Sequence, residues 1–70
     1  MTYAEIVKAL ATGTSLYWAD PDPIPGNDYR ITSIQELLPD DEMCLIEYGD
    51  GSEAEVFLHE IGKETPYDYT

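Results

Sequence analysis

The sequence contains very few of the residues that build disulfide bridges, metal centres and covalent active sites. Cys44 is the one cysteine and His59 the one histidine in 70 residues. A single thiol excludes an internal disulfide and any metal site made of several cysteines. Because Cys44 stands within an apolar run, we interpret it as a small buried residue in a protein of a reducing compartment. We therefore expect no metal ion, no cofactor and no cysteine–histidine catalytic pair, and we predict that the protein is not an enzyme.

Positive charge is almost as scarce. Three lysine and arginine residues stand against fifteen aspartate and glutamate residues, which gives a formal net charge of −12. Nucleic acids and anionic membranes are bound through lysine and arginine, so direct binding of either is not expected. A strongly acidic surface instead steers association with a basic protein surface. The alternative is that the acidity serves only solubility.

Long apolar segments are missing from the sequence as well. No run approaches the roughly 20 apolar residues that span a bilayer, and Met1 is not followed by the basic and apolar regions of a secretory signal. We therefore expect a cytoplasmic protein. The length predicts one small domain, which we place at residues 1–62. Residues 63–70 are polar and are predicted to be a frayed C-terminal tail.

The stretch at residues 43–61 is predicted to be a β-hairpin. Two alternating, largely apolar runs flank Gly49-Asp50-Gly51, and an Asp-Gly pair between such runs is typical of a tight hairpin turn. A three-residue loop would place Glu47 opposite Glu53, which is an unfavourable pair of like charges. We therefore predict a two-residue loop at the Asp-Gly pair.

That register gives the hairpin one apolar face and one acidic face. The residues predicted to share the apolar face are Met43, Leu45, Ala54, Val56 and Leu58. Within this set, Leu45 is expected opposite Val56. Glu53 and Glu55 are expected on the other face, beside Tyr48 and Phe57. The apolar face needs a cover from another part of the chain.

A short helix is predicted at residues 3–11. Thr2 and Glu5 form a capping box, in which each side chain accepts a hydrogen bond from the other residue's backbone N–H. Gly13 stands where glycine commonly ends a helix. The apolar residues spaced at i, i+3, i+4 and i+7 are Tyr3, Ile6, Val7 and Leu10. A helix this short does not persist alone in water, so we expect this stripe to pack on the apolar face of the hairpin.

Two further strands are predicted at residues 14–18 and 29–34, on either side of a stiff, proline-rich loop at residues 20–28. Residues 33–38 also allow a helical turn, because they contain a second capping-box pattern and apolar residues at helical spacing. We favour a strand that is followed by a turn at Pro39. The sequence thus predicts an α+β domain, in which a short N-terminal helix packs on a small, strongly bent antiparallel sheet or SH3-like barrel of four to five strands.

The order YWADPDP, YRITSI and DGSEAEVFLHEI, within residues 16–61, resembles uncharacterised small acidic proteins of bacteria and their phages. Those proteins have a tryptophan followed by an Asp-Pro-Asp loop and end with an acidic strand. The resemblance implies an SH3-like β outline and an accessory role. It implies no catalytic residue and no ligand site.

Calcium and zinc sites are not expected, because the ligand patterns are incomplete. In a calcium-binding EF-hand loop that begins at Asp20, Ile24 would stand at a ligand position. Pro25 would stand where glycine is required, and Ile31 where the final glutamate is required. His59-Glu60 lacks the second histidine of a zinc-protease motif and has Lys63 in its place. We interpret the loop aspartates as turn-forming residues and His59 as a surface residue.

Aromatic residues are more numerous than a core of this size can enclose. The chain has six tyrosines and one tryptophan, and tyrosine with few lysines is typical of protein interfaces. Trp18 is predicted to belong to the core. The tyrosines expected to be exposed are Tyr17, Tyr48, Tyr67 and Tyr69.

We hypothesise a non-enzymatic protein-binding module, an accessory or inhibitor protein of a phage or mobile element. Its carboxylates would take the place of phosphates on a basic, nucleic-acid-binding host protein. The residues assigned to the interaction surface are Asp20, Asp22, Tyr48, Glu53 and Glu55. The alternative is a structural domain that forms a homodimer through a sheet edge and its tyrosines, with acidity that serves only solubility.

Overall fold

A computed structural model describes residues 1–65 of the chain. Two short 3-10 turns, Pro39–Asp41 and Leu58–Glu60, connect parts of the chain. The helix and strands, in chain order, are α1 (Tyr3–Thr12), β1 (Tyr17–Trp18), β2 (Ile31–Leu38), β3 (Met43–Tyr48), β4 (Ser52–Phe57) and β5 (Ile61–Gly62). The predicted tail at 63–70 lies mostly outside the described residues, as do Tyr67 and Tyr69.

Helix α1 begins and ends as the local signals predict. The Glu5 backbone N–H donates to Thr2 Oγ1 at 3.2 Å, and the Thr2 N–H donates to Glu5 Oε1 at 3.0 Å. The hydrogen bond from the Thr2 backbone lowers the pKa of the Glu5 carboxyl below its ordinary value. Gly13 ends the helix with a φ of 71°, in the left-handed region that glycine adopts without strain.

The face that α1 turns toward the core is different from the predicted stripe. Ile6 is 0% exposed and Ala9 is 3% exposed, and both belong to the buried core cluster. Tyr3, Val7 and Leu10 are instead 45%, 42% and 49% exposed. Of the predicted stripe, Ile6 is therefore buried and the other three members are not.

The five strands form two antiparallel sheets, one of three strands in the order β2-β3-β4 and one that pairs β1 with β5. An isolated bridge between Tyr17 and Arg30 connects them, and the Trp18 N–H donates to the Tyr29 carbonyl at 3.0 Å. The prediction of an α+β domain is therefore confirmed. Within residues 1–65 the sheets do not close into a barrel, and β1 is shorter than the predicted strand at 14–18.

The hairpin has a three-residue loop, so the predicted register is wrong by one residue. Cys44 pairs with Val56, and Glu47 pairs with Glu53. A shift of one residue turns every side chain of a strand to the other face. In the observed register Cys44 and Ile46 point into the core, where both are 0% exposed. In the predicted register Glu47 would face the core in place of Tyr48, and burial of an unpaired carboxylate costs more than a pair of like charges on the outer side of the sheet.

Strand β2 extends to Leu38 and contains two bulges. The bulges allow a strand in a segment whose apolar residues have helix-like spacing. Its register with β3 shifts after Ile31 and again after Ile34. Each shift inserts one extra residue into β2, so residues three positions apart return to the same face. Ile31, Ile34 and Leu37 accordingly all pack against the core. The helical turn considered for residues 33–38 is therefore wrong, whereas the turn at Pro39–Asp41 is confirmed.

The amino group of Met1 ties the start of the described chain to its last strand. It donates to the Leu58 carbonyl at 2.9 Å and to the Ile61 carbonyl at 3.1 Å. The Met1 side chain packs against the core cluster. These contacts place α1 beside the 3-10 turn that precedes β5.

Candidate protein-binding surface

The three-stranded sheet has one face on the core and one face away from it, which we call the outer face. Its positions alternate with the buried ones along each strand. Of the partly buried apolar residues that pack against the core, none is an outer-face residue of these strands. The outer-face side chains that carry charge or apolar bulk are Glu36 and Leu38 of β2, Met43, Leu45 and Glu47 of β3, and Glu53, Glu55 and Phe57 of β4.

Apolar side chains occupy one end of the outer face. Leu38 pairs with Met43, and Met43 pairs with Phe57, so the three form one row across the sheet. Phe57 is 47% exposed. The His59 ring stacks on it with a centroid distance of 5.5 Å and an interplanar angle of 17°. Leu45 stands at the centre of the next row and continues the apolar surface.

Carboxylates surround this apolar surface on the other sides. Glu36 and Glu55 are the two cross-strand neighbours of Leu45, and Glu47 pairs with Glu53 in the following row. Side chains on one face of a strand repeat at roughly 7 Å, and neighbouring strands lie about 5 Å apart. Residues 31–57, which include all three strands, contain no lysine or arginine. The four carboxylates therefore have no cation on their own sheet.

Gln35 explains how the sheet accommodates the pair of like charges. It is the extra residue of the second bulge in β2. Its side-chain amide donates to Glu47 Oε2 at 3.3 Å and to Glu53 Oε1 at 3.4 Å. An amide between two carboxylates offsets part of their repulsion and limits the directions in which they can point.

The residues predicted for the interaction surface do not come together. Glu53 and Glu55 lie exposed on the outer face, on the side predicted for them. Asp20 holds its own loop together, because Oδ1 accepts from the Asp22 N–H at 2.9 Å and Oδ2 accepts from the Tyr29 hydroxyl at 3.0 Å. Asp22 is exposed in that loop, away from the sheet strands.

Tyr48 was expected beside Glu53 and Glu55, and this placement is wrong. The three-residue loop turns Tyr48 to the core side of the sheet, where it packs against the core cluster. Its ring centroid lies 5.1 Å from that of Trp18 and 5.7 Å from that of Tyr29. Trp18 also packs against the core, as predicted. Trp18, Tyr29 and Tyr48 therefore join the two sheets instead of forming an exposed patch.

Six contributors to the outer face were missed by sequence reasoning. Met43 and Leu45 were assigned to the apolar face that packs on the core, and the residues assigned to no site were Gln35, Glu36, Leu38 and Glu47. The correct hairpin register would have placed Glu47 beside Glu53. No local signal places Glu36 on the outer face, because the two bulges of β2 interrupt the alternation of side chains that a regular strand would have.

The other groups considered as metal ligands or nucleophiles are the acidic side chains, His59 and Cys44. Among residues 1–65, no group of three or more histidine, cysteine, aspartate or glutamate side chains is arranged to hold a metal ion. Cys44 is a free, buried cysteine, and burial raises the pKa of its thiol to about 11. A buried thiol that stays protonated at neutral pH is a poor nucleophile.

No helix of the described chain is long and apolar enough to cross a membrane. Comparison with models of protein families, with curated proteins and with solved structures finds no match to this chain. The resemblance to small acidic proteins of bacteria and phages therefore stays a prediction.

Proposed function

We propose that this chain is a non-enzymatic protein-binding module that uses its outer face to bind a basic surface of another protein. The proposal is carried by one observation: Glu36, Glu47, Glu53 and Glu55 share that face, and their sheet supplies no cation. The three lysine and arginine residues of the chain are Lys8, Arg30 and Lys63, which all lie outside β2, β3 and β4.

The partner is a protein whose lysine and arginine side chains otherwise bind phosphates. Carboxylates at roughly 5–7 Å separations on one surface can engage several such cations at once. Electrostatic attraction of this kind mainly accelerates association. An accessory or inhibitor role, in which the acidic face competes with a nucleic acid for a host protein, follows from that chemistry.

Affinity capture from a lysate of the source organism, followed by association kinetics with the retained protein, tests the proposal. Glu53→Gln combined with Glu55→Gln should slow association by about tenfold and reduce its salt dependence. Asp22→Asn combined with Glu64→Gln is the matched control, since it removes the same charge from exposed positions outside the sheet.

Both double variants should keep the wild-type melting temperature, because exposed substitutions usually change stability by less than about 0.5 kcal/mol. An equal loss of association rate in the two variants would show that only net charge matters, and it would contradict a binding site on the outer face. Capture of no basic protein would contradict the proposed function itself.

A second candidate function is homodimer formation, and the exposed side of α1 favours it. Tyr3, Val7 and Leu10 are each between 42% and 49% exposed and lie along one side of the helix. Size-exclusion chromatography with light scattering at low and high salt separates the candidates. A salt-resistant homodimer without a captured partner would support this second function and contradict the first.

A further inference from the structure

The outer face is amphipathic, and acidity alone does not describe it. The row Leu38, Met43 and Phe57 is entirely apolar, and Leu45 continues it toward the middle of the face. Phe57 is among the most exposed large apolar residues of the described chain, at 47%. We call these four side chains the apolar strip. A surface that only attracts cations does not require an exposed phenylalanine in such a strip.

We propose that the outer face docks a basic amphipathic helix of the partner protein. This inference rests on the proposed function and specifies the partner segment. Apolar side chains of that helix contact Phe57, Met43 and Leu45. Lysine and arginine side chains along its two borders reach Glu36 on one side and Glu55 on the other.

The dimensions of the face fit a single helix. Two strand spacings separate β2 from β4, which is about 10 Å, and an α-helix with its side chains is roughly 10–12 Å wide. Six-residue strands such as β3 and β4 are about 20 Å long, which a helix of roughly 13 residues spans. One helix laid along β3 therefore covers Met43 and Leu45 and brings one border over Glu36 and the other over Phe57 and Glu55.

Charge complementarity decides which kind of helix this is. An acidic or neutral helix would leave Glu36, Glu53 and Glu55 without a cation next to an apolar contact that excludes water. The helix α1 of a second copy fits poorly, because Glu5 and Lys8 are its only charged residues. A helix with an apolar stripe and basic borders complements both the apolar strip and the carboxylates beside it.

The test uses two synthetic peptides of about 15 residues, with identical content of leucine, lysine and alanine. In one peptide the leucines form a stripe at helical spacing, and in the other the order is scrambled. Fluorescence anisotropy with the full 70-residue chain should show that the striped peptide binds at least about tenfold more tightly.

Substitutions test whether the apolar strip, and not any exposed apolar residue, causes the preference for the striped peptide. Phe57→Thr should abolish most of the preference for the striped peptide while keeping a strand-forming residue. Ile24→Thr is the matched control, because Ile24 is 59% exposed in the proline-rich loop, and it should leave the preference unchanged. Melting curves verify that both variants are folded.

The outcomes distinguish this inference from the proposed function. The two peptides could bind with equal affinity, and Glu53→Gln combined with Glu55→Gln could reduce that affinity. This result would overturn the docking of an amphipathic helix but would still support binding of a basic partner by the acidic surface. Binding of neither peptide at low salt would overturn both. Self-association of the chain that Phe57→Thr abolishes would assign the face to a second copy and would also overturn the inference.

Discussion

Ile6 and Leu10 lie about one turn apart on α1, and truncation of each should have a very different effect. Ile6 is 0% exposed, whereas Leu10 is 49% exposed. Replacement of a fully buried isoleucine by alanine costs about 2–5 kcal/mol. Burial of a whole leucine side chain contributes about 1.5–3 kcal/mol, so a half-exposed leucine contributes roughly half as much. Alanine also has a slightly higher helix propensity, and Leu10→Ala should therefore cost about 1 kcal/mol or less.

Urea unfolding, followed by the fluorescence of Trp18, measures these differences. A core of this size rarely supplies more than about 3–5 kcal/mol, so Ile6→Ala should be largely unfolded without urea. Ile6→Val, at about 0.5–1.5 kcal/mol, keeps the comparison measurable. Val7→Ala is a second control, since Val7 is 42% exposed. A Leu10→Ala variant that is also largely unfolded without urea would contradict the observed orientation of α1.

Two further predictions concern Cys44 and Gly49. Burial raises the pKa of the Cys44 thiol from 9.0 to about 11. The unfolded chain ionises first above pH 9, so the unfolding free energy should fall by about 2 kcal/mol by pH 11 relative to Cys44→Ala. An equal pH dependence of the unfolding free energy in the two proteins, measured by urea titration, would contradict this. A Cβ at Gly49 would lie 2.6 Å from the Asp28 carbonyl oxygen, whereas one at Gly13 would meet nothing within 4 Å. Gly49→Ala should therefore lower the unfolding free energy by more than about 1 kcal/mol, and by clearly more than Gly13→Ala does. Equal decreases of the unfolding free energy, measured with urea, would refute the close contact.

Local signals predicted helix α1 almost to the residue. The capping box of Thr2 and Glu5 and the terminal Gly13 act within a few positions of the backbone groups that they satisfy. Such signals do not depend on the rest of the fold. The choice of buried face does depend on it, and this is why Ala9 was overlooked in favour of the larger Leu10.

The hairpin register was beyond local reasoning because residues from outside the hairpin decide it. The like-charge pair of Glu47 and Glu53 argued against the three-residue loop. That argument did not include Gln35, which comes from the neighbouring strand and donates to both carboxylates. It also did not include the cost of turning Glu47 toward the core, where Tyr48 packs instead.

The candidate site was predictable only in part for the same reason. Glu53 and Glu55 alternate simply along β4, so their shared face followed from the sequence. Asp20 was nominated as a contact residue, but its carboxylate is engaged by Asp22 and Tyr29. Glu36 could join the site only after both bulges of β2 were known.

The two bulges of β2 also make this edge of the sheet a poor template for strands of other chains. A regular edge strand offers its unpaired N–H and C=O groups as a template on which other chains add strands. The breaks after Ile31 and after Ile34 leave an incoming strand only short stretches of regular backbone to match. On the opposite edge, β4 alternates glutamates with its apolar residues, and stacked copies would place those charges in repulsive ladders. Both edges of the three-stranded sheet thus carry features that disfavour the addition of strands from other chains.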